Sequence, residues 1–121
     1  MSIRKIALQW YQSKYGRIDK PIHTSKYFRP DESWPKKSVW WPQVPINTID
    51  KFSYINILCQ IAPSKNDFYH LRVPAKFLKE HLKKFHTLKE KISLYFSTDP
   101  KELFIELRGE GRLDFSKFLV N

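Results

Sequence analysis

Two extended runs joined by a turn constrain the fold of this chain more than any other feature. Residues 52–62 and 68–73 are dense in β-branched and aromatic side chains, which are typical of strands. Between them, Pro63-Ser64-Lys65-Asn66-Asp67 is rich in residues that favour turns. The pattern predicts a β-hairpin in the middle of the chain.

A second hairpin is predicted closer to the C-terminus. Residues 92–97 and 103–108 are two further extended runs, and the segment between them, 98–102, contains Asp99 and Pro100. The short run 39–41 is predicted as an edge strand, because prolines follow it and a proline cannot donate to a strand ladder.

Helical periodicity appears in two places. Apolar residues from Ile3 to Trp10 share one face, with Ser2 placed to cap the helix and Gly16 placed to end it. A central helix is predicted from Pro74 to about residue 89. The chain is therefore predicted to form one small α+β domain over 1–121, with a mostly antiparallel sheet built from two hairpins, an N-terminal helix and a central helix.

Residues 17–38 lack periodicity and carry three prolines among many basic residues. This composition opposes a regular helix and predicts a basic arm or long loop. The aromatic side chains in the segment indicate that at least part of it packs against the domain. Whether the whole arm is ordered stays open.

The chain carries 22 Lys and Arg against 12 Asp and Glu, a formal net charge of +10, and 16% of its residues are aromatic. Cations release counterions from phosphates, and exposed rings stack on bases, so this combination favours a nucleic-acid partner. We expect a non-enzymatic binding module, although a solvated basic surface explains the same charge. The predicted contact residues are Arg17, Lys20, Lys26, Arg29, Trp34, Lys36, Lys37 and Trp40.

A metal-dependent nuclease, or a nuclease-like domain without activity, is a second interpretation. Asp31 and Glu32 would hold Mg²⁺ and Lys36 would stabilise charge. The order of strands and helix in the second half resembles the core of the PD-(D/E)XK nucleases. Only Asp99-Pro100-Lys101 matches the acidic-x-Lys half of their motif, and it lies in a predicted turn, so the likeness concerns topology and does not assign the family.

A third interpretation is an accessory subunit that docks a protein partner through Trp34, Trp40 and Trp41. Adjacent tryptophans on a strand point to opposite faces, so Trp40 and Trp41 cannot share one core. Base preference, DNA against RNA, and oligomeric state stay open at this point.

Neither a metal nor a cofactor is predicted. The four histidines lack ligand spacing, and the single cysteine, Cys59, lies in an apolar run where a thiol behaves as a small hydrophobe. No apolar run approaches the length of a membrane span or of a signal peptide core. We therefore expect a soluble, cytoplasmic protein.

Overall fold

The chain forms short strands, mostly in consecutive pairs, with helices between them, in a computed structural model that describes residues 2–33 and 36–120. The α-helices of this part are α1 (Ile3–Tyr15), α2 (Ile46–Lys51) and α3 (Ala75–Glu80). The strands are β1 (Ile22–Ser25), β2 (Tyr27–Phe28), β3 (Val39–Trp40), β4 (Gln43–Pro45), β5 (Tyr54–Gln60), β6 (Phe68–Pro74), β7 (His86–Leu88), β8 (Lys91–Ser93) and β9 (Phe96–Ser97). Short 3₁₀ helices span Pro30–Glu32, Leu82–Lys84 and Ser116–Phe118. The α+β class is confirmed.

The predicted central hairpin is confirmed as the antiparallel pair β5–β6, in register from Tyr54 opposite Pro74 to Gln60 opposite Phe68. Strand β1 joins β5 on its other side in parallel, which gives the order β1-β5-β6. The sequence did not predict this parallel pair, because β1 lies in the segment interpreted as an arm. The four other described strand pairs are all antiparallel, and they form two further three-stranded sheets.

The second hairpin forms with shorter strands than predicted. Within its first run, β8 ends at Ser93 and only Phe96–Ser97 forms a further strand, β9. The second run, residues 103–107, pairs with β9 through an antiparallel bridge between Phe96 and Glu106. The backbone N–H of Ser97 donates to the carbonyl of Ile105, and that of Leu107 donates to Tyr95. Turns interrupt the returning run, so its strand is shorter than the residue pattern predicted.

Strand β3 was predicted as an edge strand, and this prediction is wrong. It lies between β2 and β9, with Trp40 opposite both Tyr27 and Phe96. The hydrogen-bond ladder of β3 ends before Pro42. The proline therefore does not have to donate within the sheet, and a central position is possible for β3.

Helix α1 has the predicted ends. The Ser2 hydroxyl accepts from the Lys5 N–H at 3.2 Å, and Gly16 ends the helix in the left-handed conformation with φ 76°. The central helix is shorter than predicted, since α3 ends at Glu80 and residues 86–88 form β7. Pairing of β7 with β8 replaces the last part of the expected helix.

The segment 17–38, predicted as a basic arm or long loop, contributes β1 and β2 to the sheets. Ile22 of β1 packs under α1 against Ala7 and Leu58, which fixes the first half of the segment to the domain. Its second half contains the Pro30–Glu32 turn, while residues 34 and 35 lie outside the described residues.

The sheet β1-β5-β6 has two different faces. Ile55, Ile57, Leu71 and Val73 enter the main core, where the ring of Trp40 is also buried. The other face packs α1 at the end of the sheet that carries Leu58 and Phe68. Burial of Cys59 in the core raises the pKa of its thiol, as expected for a structural cysteine.

Across the described residues, no helix has the length and apolar character needed to cross a membrane.

Candidate functional site

A cleft of about 420 Å³ opens where α1 leaves the sheet uncovered. Alternation along a strand places Tyr54 and Asn56 of β5 on the α1 face, and His70 and Arg72 of β6 lie on the same face because Asn56 is opposite Arg72. Helix α1 covers Leu58 and Phe68 but not this end. The cleft is lined by Tyr11, Tyr15, Arg17, Asp19, Lys20, Phe52, Ser53, Tyr54, Asn56, His70, Arg72 and Val120.

The floor of the cleft is a buried polar network. The Asn56 Nδ2 atom donates to the carbonyl oxygens of Asp19 at 2.9 Å and Pro21 at 3.3 Å. The Asn56 Oδ1 atom lies 2.8 Å from His70 Nε2, and His70 Nδ1 lies 2.7 Å from the Tyr15 hydroxyl. The chain that connects α1 to β1 is thus fixed to both strands of the hairpin.

Burial lowers the pKa of His70 to about 4, and the nearby charges of Arg72 and Lys14 act in the same direction. Desolvation disfavours the charged imidazolium, and the neighbouring cations disfavour it further. His70 is therefore neutral near pH 7. Its two ring nitrogens then have different roles, one as donor and one as acceptor.

Asp19 lies at the side of the cleft between a tyrosine and an arginine. The Tyr11 hydroxyl donates to Asp19 Oδ2 at 2.8 Å, and Arg17 Nε donates to Oδ1 at 2.9 Å. The hydrogen bond from Tyr11, followed by the contact with Arg17, lowers the pKa of the Asp19 carboxyl. Burial, and then the hydrogen bond to Asp19, raises the pKa of Tyr11 to about 12. Both groups keep their protonation states near neutral pH.

The rim of the cleft combines cations with exposed rings. Among the described residues that line the cleft, Arg17, Lys20 and Arg72 are exposed cations and Asp19 is the one carboxylate. Phe52 and Tyr54 are 40% and 44% exposed, which is high for large aromatic residues in a folded domain. The Arg72 guanidinium lies 4.1 Å from the centre of the Tyr54 ring. This rim can attract an anion and stack on a flat ring.

The predicted contact residues divide into separate groups. Arg17 and Lys20 both line the cleft. Lys26 and Arg29 line a different, open depression beside Glu32. The exposed residues 36 and 37 line neither of these two surfaces. The structure thus brings together two of the predicted cations and separates them from the others.

The two predicted tryptophan contacts have different outcomes. Trp34 lies outside the described residues. Trp40 is only 1% exposed, its ring stacks on Phe104 at a centroid distance of 4.7 Å, and its Nε1 donates to the Gln60 carbonyl. The prediction that Trp40 stacks on a base is corrected, because a central strand points its ring into the core.

Trp41 points to the opposite face, as alternation requires. Its Nε1 donates to the Ser93 hydroxyl at 2.6 Å, and its ring packs against Phe28 and Tyr95. Trp40 and Trp41 therefore have internal partners, and they form no exposed apolar platform of the kind that the accessory-subunit interpretation requires.

The residues of the nuclease interpretation are not arranged around a common cleft. Glu32 accepts from Lys26 Nζ at 3.0 Å and from the Arg29 backbone N–H at 2.9 Å, which caps the short 3₁₀ turn. Asp31 is exposed. Asp99 accepts from the backbone N–H of Lys101 within a turn, as predicted. Among residues 2–33 and 36–120, no group of three or more acidic, histidine or cysteine side chains is placed to hold a metal ion.

Sequence reasoning missed most of the cleft. Asn56 and His70 were available as a signal, since each is a polar residue inside a strongly apolar strand run. Their approach depends on the hairpin register, and their contact with Tyr15 depends on how α1 packs. The sequence alone specifies neither.

Comparison of the chain with protein-family models, curated proteins and solved structures finds no match.

Proposed function

We propose that this protein binds single-stranded nucleic acid, with the cleft between α1 and the β5–β6 hairpin as its contact site. The observation that carries the proposal is the presence of two exposed rings, Phe52 and Tyr54, on the same rim as three cations. Phosphates would contact Arg17, Lys20 and Arg72, and a base would stack on a ring. The net charge of +10 supports attraction of the polyanion from a distance.

Single strands fit this rim better than a duplex does. Stacking on a protein ring requires a base whose face is free, and the bases of a duplex are already stacked on one another. The cleft volume of about 420 Å³ lies within the range of small-molecule sites. It therefore suits one or two nucleotides rather than a double helix.

Fluorescence anisotropy with a labelled single-stranded oligonucleotide tests the proposal. Affinity should fall steeply between about 50 and 200 mM salt, because bound phosphates release counterions. Replacement of Arg17, Lys20 and Arg72 by Gln should weaken binding and reduce the slope of log K against log salt by about 2, since each contact to a single strand contributes about 0.7. A duplex of the same sequence should bind more weakly.

The matched control replaces three exposed lysines outside the cleft by Gln, namely Lys65, Lys83 and Lys101. It changes the net charge by the same amount, so a general electrostatic effect would appear equally in both variants. Equal losses in the two variants, or affinity that does not depend on salt, would refute the cleft as the binding site.

A further variant tests the rest of the predicted basic surface. Replacement of Lys26, Arg29, Lys36 and Lys37 by Gln removes the cations that the structure separates from the cleft. We expect a smaller change in salt slope than for the cleft variant. A larger change would place the main contact surface on this side of the domain instead.

A further inference from the structure

The hydrogen-bond directions on the cleft floor are determined by one amide. Asn56 Nδ2 faces the carbonyl oxygens of Asp19 and Pro21, which can only accept. The other end of the amide, Oδ1, is therefore the acceptor that lies 2.8 Å from His70 Nε2. It follows that His70 carries its proton on Nε2.

The same reasoning assigns the next bond. With the proton of the neutral ring on Nε2, His70 Nδ1 is an acceptor, so the Tyr15 hydroxyl donates to it over 2.7 Å. The lowered pKa of His70 agrees with a neutral ring near pH 7. Tyr15 has thereby used its one proton, and its oxygen can only accept from a molecule in the cleft.

Tyr11 and Asp19 likewise have no proton left to donate to a molecule in the cleft. The Tyr11 hydroxyl donates its proton to Asp19 Oδ2 at 2.8 Å, so its oxygen also retains acceptor capacity alone. The Asp19 carboxylate has no proton to donate, because its pKa is lowered. The inner part of the cleft therefore presents acceptors, whereas the rim presents cationic donors.

We infer that the cleft selects a nucleotide that carries a hydrogen-bond donor at its inner end, while its phosphate contacts the cationic rim. This inference rests on the proposed function and adds selectivity to it. Two groups that project from a nucleotide supply such a donor: the exocyclic amino group of adenine, cytosine or guanine, and the ribose 2′-hydroxyl. Thymine in deoxyribose has neither group. Its one base donor, the ring N3–H, lies between two carbonyl oxygens, and those oxygens would face the acceptors of Tyr11 and Tyr15. Contacts between two acceptors leave both of them unpaired, and this disfavours thymine at the inner end of the cleft.

Two pairs of comparisons at one salt concentration separate the sources of the donor. Oligodeoxynucleotides of adenine or cytosine against thymine test the amino group, and oligouridine with ribose against deoxyribose tests the 2′-hydroxyl. At least one comparison should show about a tenfold preference for the donor-bearing strand, the size expected for one hydrogen bond. Differences below twofold in both comparisons, with salt-dependent binding intact, would overturn the inference and leave the proposed function standing.

The variants Tyr15→Phe and Tyr11→Phe test whether the tyrosine oxygens of the cleft cause the preference for a donor-bearing strand. Each removes one acceptor oxygen and keeps the ring, so at least one of them should lose the preference while the salt slope stays unchanged. Tyr27→Phe is the control, because the Tyr27 hydroxyl contacts Thr98 and does not line the cleft. A preference that survives in both cleft variants would overturn the inference. Absence of binding to every oligonucleotide would overturn both the inference and the proposed function.

Discussion

The Nε2 atom of His70 donates to Oδ1 of Asn56 over 2.8 Å, and this bond joins the two strands of the central hairpin on the face that α1 leaves open. The two residues are diagonal neighbours, since Asn56 is directly opposite Arg72 and His70 is two positions away. A slip of one residue in the register would turn one of the two side chains into the apolar core. The register of the hairpin therefore determines which polar side chains lie on the cleft floor.

Acid should destabilise the protein through two histidines. In the unfolded chain a histidine titrates near its ordinary value of 6.5, whereas burial lowers the pKa of both His70 and His23 to about 4. Between these values the unfolded chain binds more protons, so the free energy of unfolding falls as the pH is lowered from 6.5 toward 4. Urea denaturation at several pH values measures this slope.

The variant His23→Leu separates the two contributions. Within the described residues, no group hydrogen-bonds to the buried Nε2 atom of His23. An apolar side chain of similar size should therefore raise the free energy of unfolding at pH 7 by about 1 kcal/mol. It should also make the acid slope shallower, leaving the part due to His70. An unchanged slope would show that His23 does not titrate in this range.

The sequence predicted the elements whose causes are local. The turn residues 63–67 between two apolar runs gave the β5–β6 hairpin, and Ser2 and Gly16 gave the ends of α1. The parallel strand β1 and the central position of β3 were not predictable in this way. Both depend on pairing between distant segments, and two to four residues with prolines nearby carry too little pattern to reveal it.

The same division holds for the cleft. Net charge favours a nucleic-acid partner, which stays a prediction, and two cations of the cleft, Arg17 and Lys20, were among the predicted contacts. The rings were misassigned, because the sequence pattern gave no means to distinguish a buried Trp40 from an exposed Tyr54. Exposure of Tyr54 depends on the length of α1 and on which end of the sheet it covers. Which end of the sheet α1 covers is determined by tertiary packing, and the local sequence pattern does not specify it.

Removal of the Glu106 carboxylate should strongly destabilise the domain. This side chain is 2% exposed, and it accepts from the backbone N–H groups of Tyr95 at 2.8 Å, Arg108 at 3.1 Å and Gly109. In Glu106→Ala these donors lose their acceptor; the Tyr95 N–H is buried and the other two are partly buried. An unsatisfied buried group costs about 1 to 3 kcal/mol, and a partly buried one costs less because water can reach it. We expect the free energy of unfolding to fall by about 3 kcal/mol in urea denaturation.

Glu110→Ala is the matched control for this variant. Glu110 is exposed in the same turn region, and its removal should change stability by less than about 0.5 kcal/mol. Similar effects of the two substitutions would show that Glu106 acts through the net charge and not through its hydrogen bonds.

Substitutions in the turn between β7 and β8 should stabilise the domain. Lys89 and Glu90 both have positive φ, 51° and 62°, which is the conformation of a type I′ turn that Asn-Gly prefers. The double variant Lys89→Asn and Glu90→Gly should raise the free energy of unfolding by about 1 kcal/mol, because it relieves left-handed strain at two side chains. The contact of the Ile46 N–H with the carbonyl of residue 90 uses only backbone atoms and is retained.

A glycine at a position without positive φ is the control for the turn variant. Lys101→Gly should destabilise or leave stability unchanged, since it only adds freedom to the unfolded chain. Thermal denaturation compares the two. A loss of stability in the Asn-Gly variant would mean that the Lys89 and Glu90 side chains stabilise the turn by more than its backbone conformation costs.

The ring of Tyr54 should contribute to nucleic-acid affinity in a way that salt does not reveal. Tyr54 is exposed and carries no charge, and it supports the Arg72 guanidinium at 4.1 Å. In Tyr54→Leu the stacking surface is lost, so the affinity for a single strand should fall by about 1 to 3 kcal/mol while the salt slope stays near that of the unmodified protein. Replacement of the exposed Leu88 by Ala, outside the cleft, should leave both quantities unchanged. If Tyr54→Leu instead flattens the salt slope, the ring serves to position Arg72 on a phosphate and does not stack on a base. If it changes neither affinity nor slope, the nucleic acid does not enter this cleft.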